Sequence, residues 1–261
     1  MTAPELSFPT ANGRYYQHPA KQVAVPSVTN ITGKKDKPGL KYWAAKMAAT
    51  YASENRAMLA TLSPADAYTL VRAAPFEHKD DSPSAIGDIV HDWIDNYVKT
   101  AGAGPTSEAF QAAPITARRM WEQFQRFTEH YTPQFIESEF SVWSDTYGYA
   151  GSADLFMTMG GMNILADTKT GNKTYPEVAM QLAALARADF IINPDGTQRP
   201  IPAFDRYAVL HIRPMSFSLI PVGRIDEAFA AFLALKTVFD WEINYGDSTL
   251  GYAPRVGSKK G

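Results

Sequence analysis

Apolar positions recur at helical spacing through the first half of the chain and alternate with polar ones after Pro133. Leu40, Trp43, Ala44, Met47 and Tyr51 predict a helix that opens at Pro38 and runs to about Asn55. Ser63-Pro64-Ala65-Asp66 and Ser82-Pro83 each set a capping hydroxyl before a proline at the first helical position. The first predicts a short helix. The second predicts one reaching about Thr100, with Ile86, Val90, Trp93, Ile94 and Tyr97 on one face. Pro114 to about Tyr131 is a further amphipathic helix with Met120, Phe124 and Phe127 as its stripe. Beyond Pro133, Phe135–Trp143, Tyr149–Met159 and Met162–Lys169 read as consecutive strands. A helix follows from Tyr175 to about Phe190, then strands at Arg206–Ile212 and Phe217–Val222, then a closing helix at Ile225–Ile243. The first thirty or so residues show neither period and are expected to be irregular or briefly extended, and the tail VGSKKG to be frayed. No repeat or linker interrupts this order. One α/β domain is expected over 1–261, with a mainly helical part to 132, a sheet core and closing helix over 133–245, and a tail from 246.

Gly160-Gly161 is a strong turn signal between two of the strands. A hairpin centred there sets Leu155 against Ala166 and Met157 against Ile164 on an apolar face. The same register sets Asp154 directly across from Asp167 on the other face, beside Ser152 and Lys169, with opposed Cβ atoms ~5 Å apart. Like charges so placed repel, so either one carboxyl keeps its proton or a cation lies between them. A hard divalent cation with oxygen ligands answers this, and Mg²⁺ suits a site with few protein ligands. An Asp-x-Lys tripeptide alone is a weak signal, and Glu77-His78-Lys79 carries the same chemistry in a turn-like context. The place of Asp167-Thr168-Lys169 at the end of an apolar strand, facing Asp154, sets it apart.

Composition narrows the class. Of 261 residues, 45% are hydrophobic and 20% charged, enough to bury one large core. The longest apolar run, Ala228 to Leu235, is far below the ~18 residues of a membrane span. The amino terminus lacks a basic stretch followed by an apolar one, so no secretory signal is expected. There is no cysteine, which excludes disulfides, Cys-ligated zinc, an iron–sulfur cluster and a thiol nucleophile. A cytoplasmic protein with no membrane partner is the expectation. The net charge of −2 hides an asymmetry, since residues 1–50 carry +5 and the remainder −7. Lys34, Lys35, Lys37 and Lys41 make the basic segment a candidate phosphate-tracking surface, though a solvated helix face gives the same pattern.

Tyr147-Gly148-Tyr149-Ala150-Gly151-Ser152-Ala153-Asp154, then Ile164-Leu165-Ala166-Asp167-Thr168-Lys169, then Gln181 together resemble the PD-(D/E)XK nuclease superfamily. The resemblance is to its RecB-type branch, which includes CRISPR-associated and phage-encoded exonucleases. It implies a restriction-endonuclease-like αβββαβ core with a mixed central sheet, preceded here by a helical half. Gly87-Asp88-Ile89-Val90-His91 matches the branch's G-x-x-x-H pattern and implies His91 as a metal ligand. Glu139 sits where the branch often has a glutamate, and Glu137 shares its strand face, so both remain candidates. Two departures stand out. The tyrosine of Q-x-x-x-Y is Leu185 here, so its contact is missing or supplied elsewhere, Tyr175 being one candidate. The cysteines that hold an iron–sulfur cluster in many relatives are absent.

The resemblance implies a Mg²⁺- or Mn²⁺-dependent deoxyribonuclease, an exonuclease of recombination, replication or repair with a partner protein from such a process. Asp154, Asp167, His91 and the backbone carbonyl of Thr168 would bind the metal, and Lys169 would position water and stabilise charge on the phosphate. Glu139 would hold a second metal or orient water, and Gln181 would order the backbone or Lys169. Gly151, lacking Cβ, would let a phosphate backbone approach the strand. Tyr42 and Trp43 could stack on bases, although their helical spacing fits a core better. Two other classes compete: an inactive nucleic-acid-binding scaffold on the same fold, and a two-carboxylate glycosidase using Glu139 and Asp154. The second leaves Lys169 without a role.

Overall fold

The computed structural model describes residues 6–35, 38–76 and 82–251. Lys37, the Glu77-His78-Lys79 tripeptide and the VGSKKG tail lie outside the described residues.

The amino-terminal stretch, expected to be irregular, instead forms a three-stranded antiparallel sheet of β1 (Ser7–Thr10), β2 (Gly13–Gln17) and β3 (Ala24–Pro26). Strands of three to five residues are too short for an alternating period to show. Helix α1 (Val28–Thr32) follows, capped by the Ser27 hydroxyl, which accepts the Asn30 N–H. Next come α2 (Pro38–Glu54), α3 (Arg56–Leu59), α4 (Pro64–Ala73), α5 (Pro83–Lys99), α6 (Ser107–Ala112) and α7 (Ile115–Tyr131). Ser63 and Ser82 cap α4 and α5 through their hydroxyls, as the Ser-Pro signals require. The described side chains of α2's apolar stripe build no core. No described side chain of α2, α3 or α4 is buried, and Tyr42 and Trp43 are 78% and 46% exposed.

The second half follows its alternation closely: β4 (Gln134–Ser144), β5 (Tyr149–Met159), β6 (Met162–Lys169), α8 (Glu177–Ala186), β7 (Phe190–Ile192), β8 (Gln198–Arg199), β9 (Arg206–Arg213), β10 (Ser216–Val222) and α9 (Ile225–Asn244). Helix α8 stops short of the predicted Phe190 because that residue pairs with Trp143, and Ile191 with Val142, on the open side of β4. The seven strands run in the order β10-β9-β6-β5-β4-β7-β8. β6 and β9 are parallel and every other neighbouring pair is antiparallel, so the sheet is mixed.

Gly160 and Gly161 take positive φ of 55° and 77°, the left-handed turn that fixes the β5–β6 register. Leu155 faces Ala166 and Met157 faces Ile164, and these four pack with α5 and α7. The opposite layer is α1, α8 and α9 on Val142, Leu165 and Val209. Tyr149 locks that layer to β5 by donating to the Ala184 carbonyl at 2.9 Å. No helix among the described residues is long and apolar enough to cross a membrane.

Candidate active site

The β5–β6 ladder runs from Met159↔Met162 to Leu155↔Ala166 and stops there. The register is the one the turn predicts, with Asp154 and Asp167 at the next position, but the ladder ends one pair short of them. Two carboxylates repel at that position, and Asp154 Oδ2 accepts the Thr168 N–H at 2.8 Å. β6 meanwhile continues beside β9 as far as Lys169↔His211. The strands part where the acidic residues stand, and a cavity of about 270 Å³ opens there.

Asp154, Asp167, Lys169, Glu139, His91 and Gln181 all line this cavity, with Thr168 and Gly151 in its wall. Lys169 Nζ lies 2.6 Å from Asp167 Oδ2. That oxygen is buried and takes no aligned hydrogen bond, and Asp167 as a whole is 6% exposed. His91 on α5 brings Nδ1 to 4.0 Å from Asp154 Oδ2. Glu139 adopts φ 49°, a left-handed conformation that costs a non-glycine residue energy, and Ser152 Oγ donates to its Oε2 at 3.1 Å. Glu137 turns elsewhere, into an ion pair with Arg199 on β8, so of the two glutamates it is Glu139 that lines the cavity.

The electrostatics follow from burying like charges together. Burial, then the Asp154 charge, pushes the Asp167 carboxyl up to about 7, against the opposing pull of Lys169. Burial and Asp154 likewise lift Glu139 to about 7, with the Ser152 hydrogen bond resisting. Burial pulls the Lys169 ammonium down, but Asp167, Asp154 and Glu139 together outweigh it and hold it above its ordinary range. His91 is pushed below its ordinary value by burial, against Asp154, so the ring is neutral. A neutral imidazole is the form that binds metals.

Two expectations change. Gly151 lines the cavity, but a Cβ there would stand 2.7 Å from Leu185 Cδ2 and 3.0 Å from Val28 Cγ2. Its missing side chain makes room for α1 and α8, rather than for a phosphate backbone. Gly151→Ala is accordingly expected to destabilise the fold by about 1–3 kcal/mol, read from urea denaturation. Tyr175 is 60% exposed and does not reach the cavity, so it does not stand in for the tyrosine replaced by Leu185.

Lys34, Lys35 and Lys41 do not line the cavity. Lys34 pairs with Glu242 and lies over the Phe239 ring, and Lys35 pairs with Glu177 at 3.0 Å. Lys41 is exposed on α2. Arg14 and Tyr16, two residues apart on β2, line the cavity and were not singled out from the sequence. Only their place on one short strand could have signalled them.

Among the described residues, no three His, Asp or Glu side chains stand together as a ready metal-binding group. The donor chemistry nevertheless fits a hard divalent cation. Asp154 and Asp167 supply carboxylate oxygens whose repulsion a cation would relieve, and the Asp167 oxygen nearest Lys169 is buried. A scan of the sequence against protein-family models finds no match, and a search of curated proteins finds none either.

Proposed function

We propose that the protein is a Mg²⁺- or Mn²⁺-dependent nuclease that hydrolyses DNA phosphodiesters, as an exonuclease in recombination, replication or repair. The observation that carries this reading is the parted β5–β6 ladder, with Asp154, Asp167 and Lys169 on one cavity and the Asp167 carboxyl lifted to about 7. The succession α7-β4-β5-β6-α8-β9 supports a restriction-endonuclease-like αβββαβ core, with β7 and β8 as an insertion before the last strand.

Asp154, Asp167, His91 and the Thr168 carbonyl would hold the cation, which when bound supplies Lewis-acid activation of the phosphate and of the attacking water. Lys169 stabilises charge that develops on the phosphate oxygens. Glu139, lifted towards neutrality, accepts a proton from the water, and Gln181 on α8 orients the polar wall.

Arg14 makes no ion pair among the described residues and supplies the cavity with a second cation, besides Lys169, for an adjacent phosphate. Arg14→Ala is expected to weaken DNA binding equally for unrelated sequences and to flatten the salt dependence by about one phosphate's worth of counterion release. A double Lys34→Ala, Lys35→Ala variant is expected to change that slope less, because both lysines already have carboxylate partners. Anisotropy titrations at several salt concentrations compare the two.

A carboxyl near 7 at Glu139 also suits the general acid of a two-carboxylate glycosidase, the second reading. One assay separates them. End-labelled single- and double-stranded DNA is incubated with the protein in Mg²⁺, in Mn²⁺ and in EDTA. Degradation in either metal and none in EDTA is the expected result; intact DNA in all three rules the nuclease reading out.

A further inference from the structure

A buried tyrosine hydroxyl normally finds a partner, as Tyr149 does in the Ala184 carbonyl. Tyr16 differs: its oxygen is not among the sealed polar atoms that lack a partner, so it keeps an opening to solvent. The residue as a whole is 2% exposed, with its ring packed among Val25, Trp143, Ala150 and Ile192. Yet no hydrogen bond among the described residues involves its hydroxyl. The residue lines the cavity that holds Asp154, Glu139 and Lys169, and those two carboxylates are its electrostatic neighbours. The position one turn beyond Gln181 on α8 is Leu185, which lines the same cavity and offers no polar atom. At Leu185 the wall is apolar, and across the cavity β2 carries a hydroxyl donor that no described residue accepts from.

We propose that Tyr16 donates its hydroxyl hydrogen to a non-bridging oxygen of the phosphate bound in this cavity, orienting it for attack. The role rests on the phosphodiesterase reading above. A neutral donor suits a wall beside two carboxylates, because it binds an anion's oxygen without forming a competing ion pair with them. Arg14, two residues earlier on the same strand, shares the cavity and supplies the charge that Tyr16 lacks. Burial, with Glu139 and Asp154 adding to it and Arg14 opposing, holds the phenol above its ordinary range, so it stays a donor at working pH.

Tyr16→Phe removes one oxygen and keeps the packed ring, so a merely structural role would leave turnover untouched. Steady-state cleavage of end-labelled DNA in Mg²⁺ is expected to show kcat lowered about tenfold or more, with KM changed by less than about threefold. The thermal transition is expected to be unchanged, since the hydroxyl bonds to nothing among the described residues. An unaltered kcat overturns the proposal. A second readout needs no catalysis: inorganic phosphate is expected to perturb the tyrosine ultraviolet absorption of the wild type and not that of Tyr16→Phe. A signal absent from the wild type, or still present in the variant, also overturns it. Should the wild type cleave no DNA, the phosphodiesterase reading falls by itself, and the phosphate difference spectrum still decides whether Tyr16 meets a phosphate.

Discussion

Lys169→Met is expected to cut strand cleavage about 10³-fold while DNA affinity stays within a few fold. Methionine keeps the length and apolar stem of the side chain and removes only the ammonium, which lies 2.6 Å from Asp167 Oδ2 at the end of β6. In the proposed mechanism that charge faces the point where negative charge gathers on the phosphate, so its loss would fall on the transition state rather than on binding. The same substitution has a second effect on the protein without metal. Asp167, Asp154 and Glu139 together hold the ammonium above its ordinary range, so it offsets their mutual repulsion. Lys169→Met is therefore expected to melt below wild type in EDTA and to gain more from added Mn²⁺. Single-turnover cleavage, anisotropy and paired melts measure the three quantities. Equal loss of cleavage and of DNA affinity would place Lys169 in general binding instead.

Asp167→Asn is expected to abolish cleavage and yet to melt above wild type in EDTA at about pH 8. The wild-type carboxyl is buried beside Asp154 and held at about 7, against an ordinary value of 3.8. The folded state therefore holds this proton more tightly than the unfolded chain does. The linked stability falls as pH rises from about 4 to about 7, and the whole cost is present above that. Asparagine has the same shape and no charge, so it escapes the cost at high pH and offers a cation only a neutral amide oxygen, a weaker ligand than a carboxylate. Glu139, also lifted to about 7, adds a loss of the same sign that the variant keeps. Melts in EDTA from pH 5 to pH 8 are thus expected to fall steeply for wild type and less for Asp167→Asn. Saturating Mn²⁺ is expected to flatten the wild-type profile alone. A variant less stable than wild type at the upper end of this range would mean that the Lys169 pair outweighs the repulsion, and this electrostatic account would fail.

The hairpin that carries both aspartates was legible in the sequence because its information is local. Gly160-Gly161 fixes the turn, and the alternation of Leu155, Met157, Ile164 and Ala166 fixes which side is apolar. The end of the ladder was not legible, since it depends on Asp154 capturing the Thr168 N–H across the gap. Arg14 and Tyr16 were invisible for a different reason. They sit on a five-residue strand, and what brings that strand to the site is contact with distant residues, such as the Ser27–Ala150 bridge and the Trp143 ring. Gly151 looked like an opening for a phosphate because its neighbours in space, Leu185 and Val28, come from other helices. The ion pairs of the lysine cluster were hidden by the same gap. A charge count cannot see that Lys34 finds Glu242, 208 residues away, or that Lys35 finds Glu177.

That Asp154 and Asp167 exist as a pair to hold a divalent cation is the claim on which the other readings depend. Anomalous diffraction from crystals of the full chain soaked in Mn²⁺ tests it most directly. The account predicts one strong peak between the two carboxylates, with the Lys169 ammonium moved off Asp167 Oδ2. Crystals with no peak in this cavity at saturating Mn²⁺, and with the Lys169–Asp167 pair intact, would contradict it.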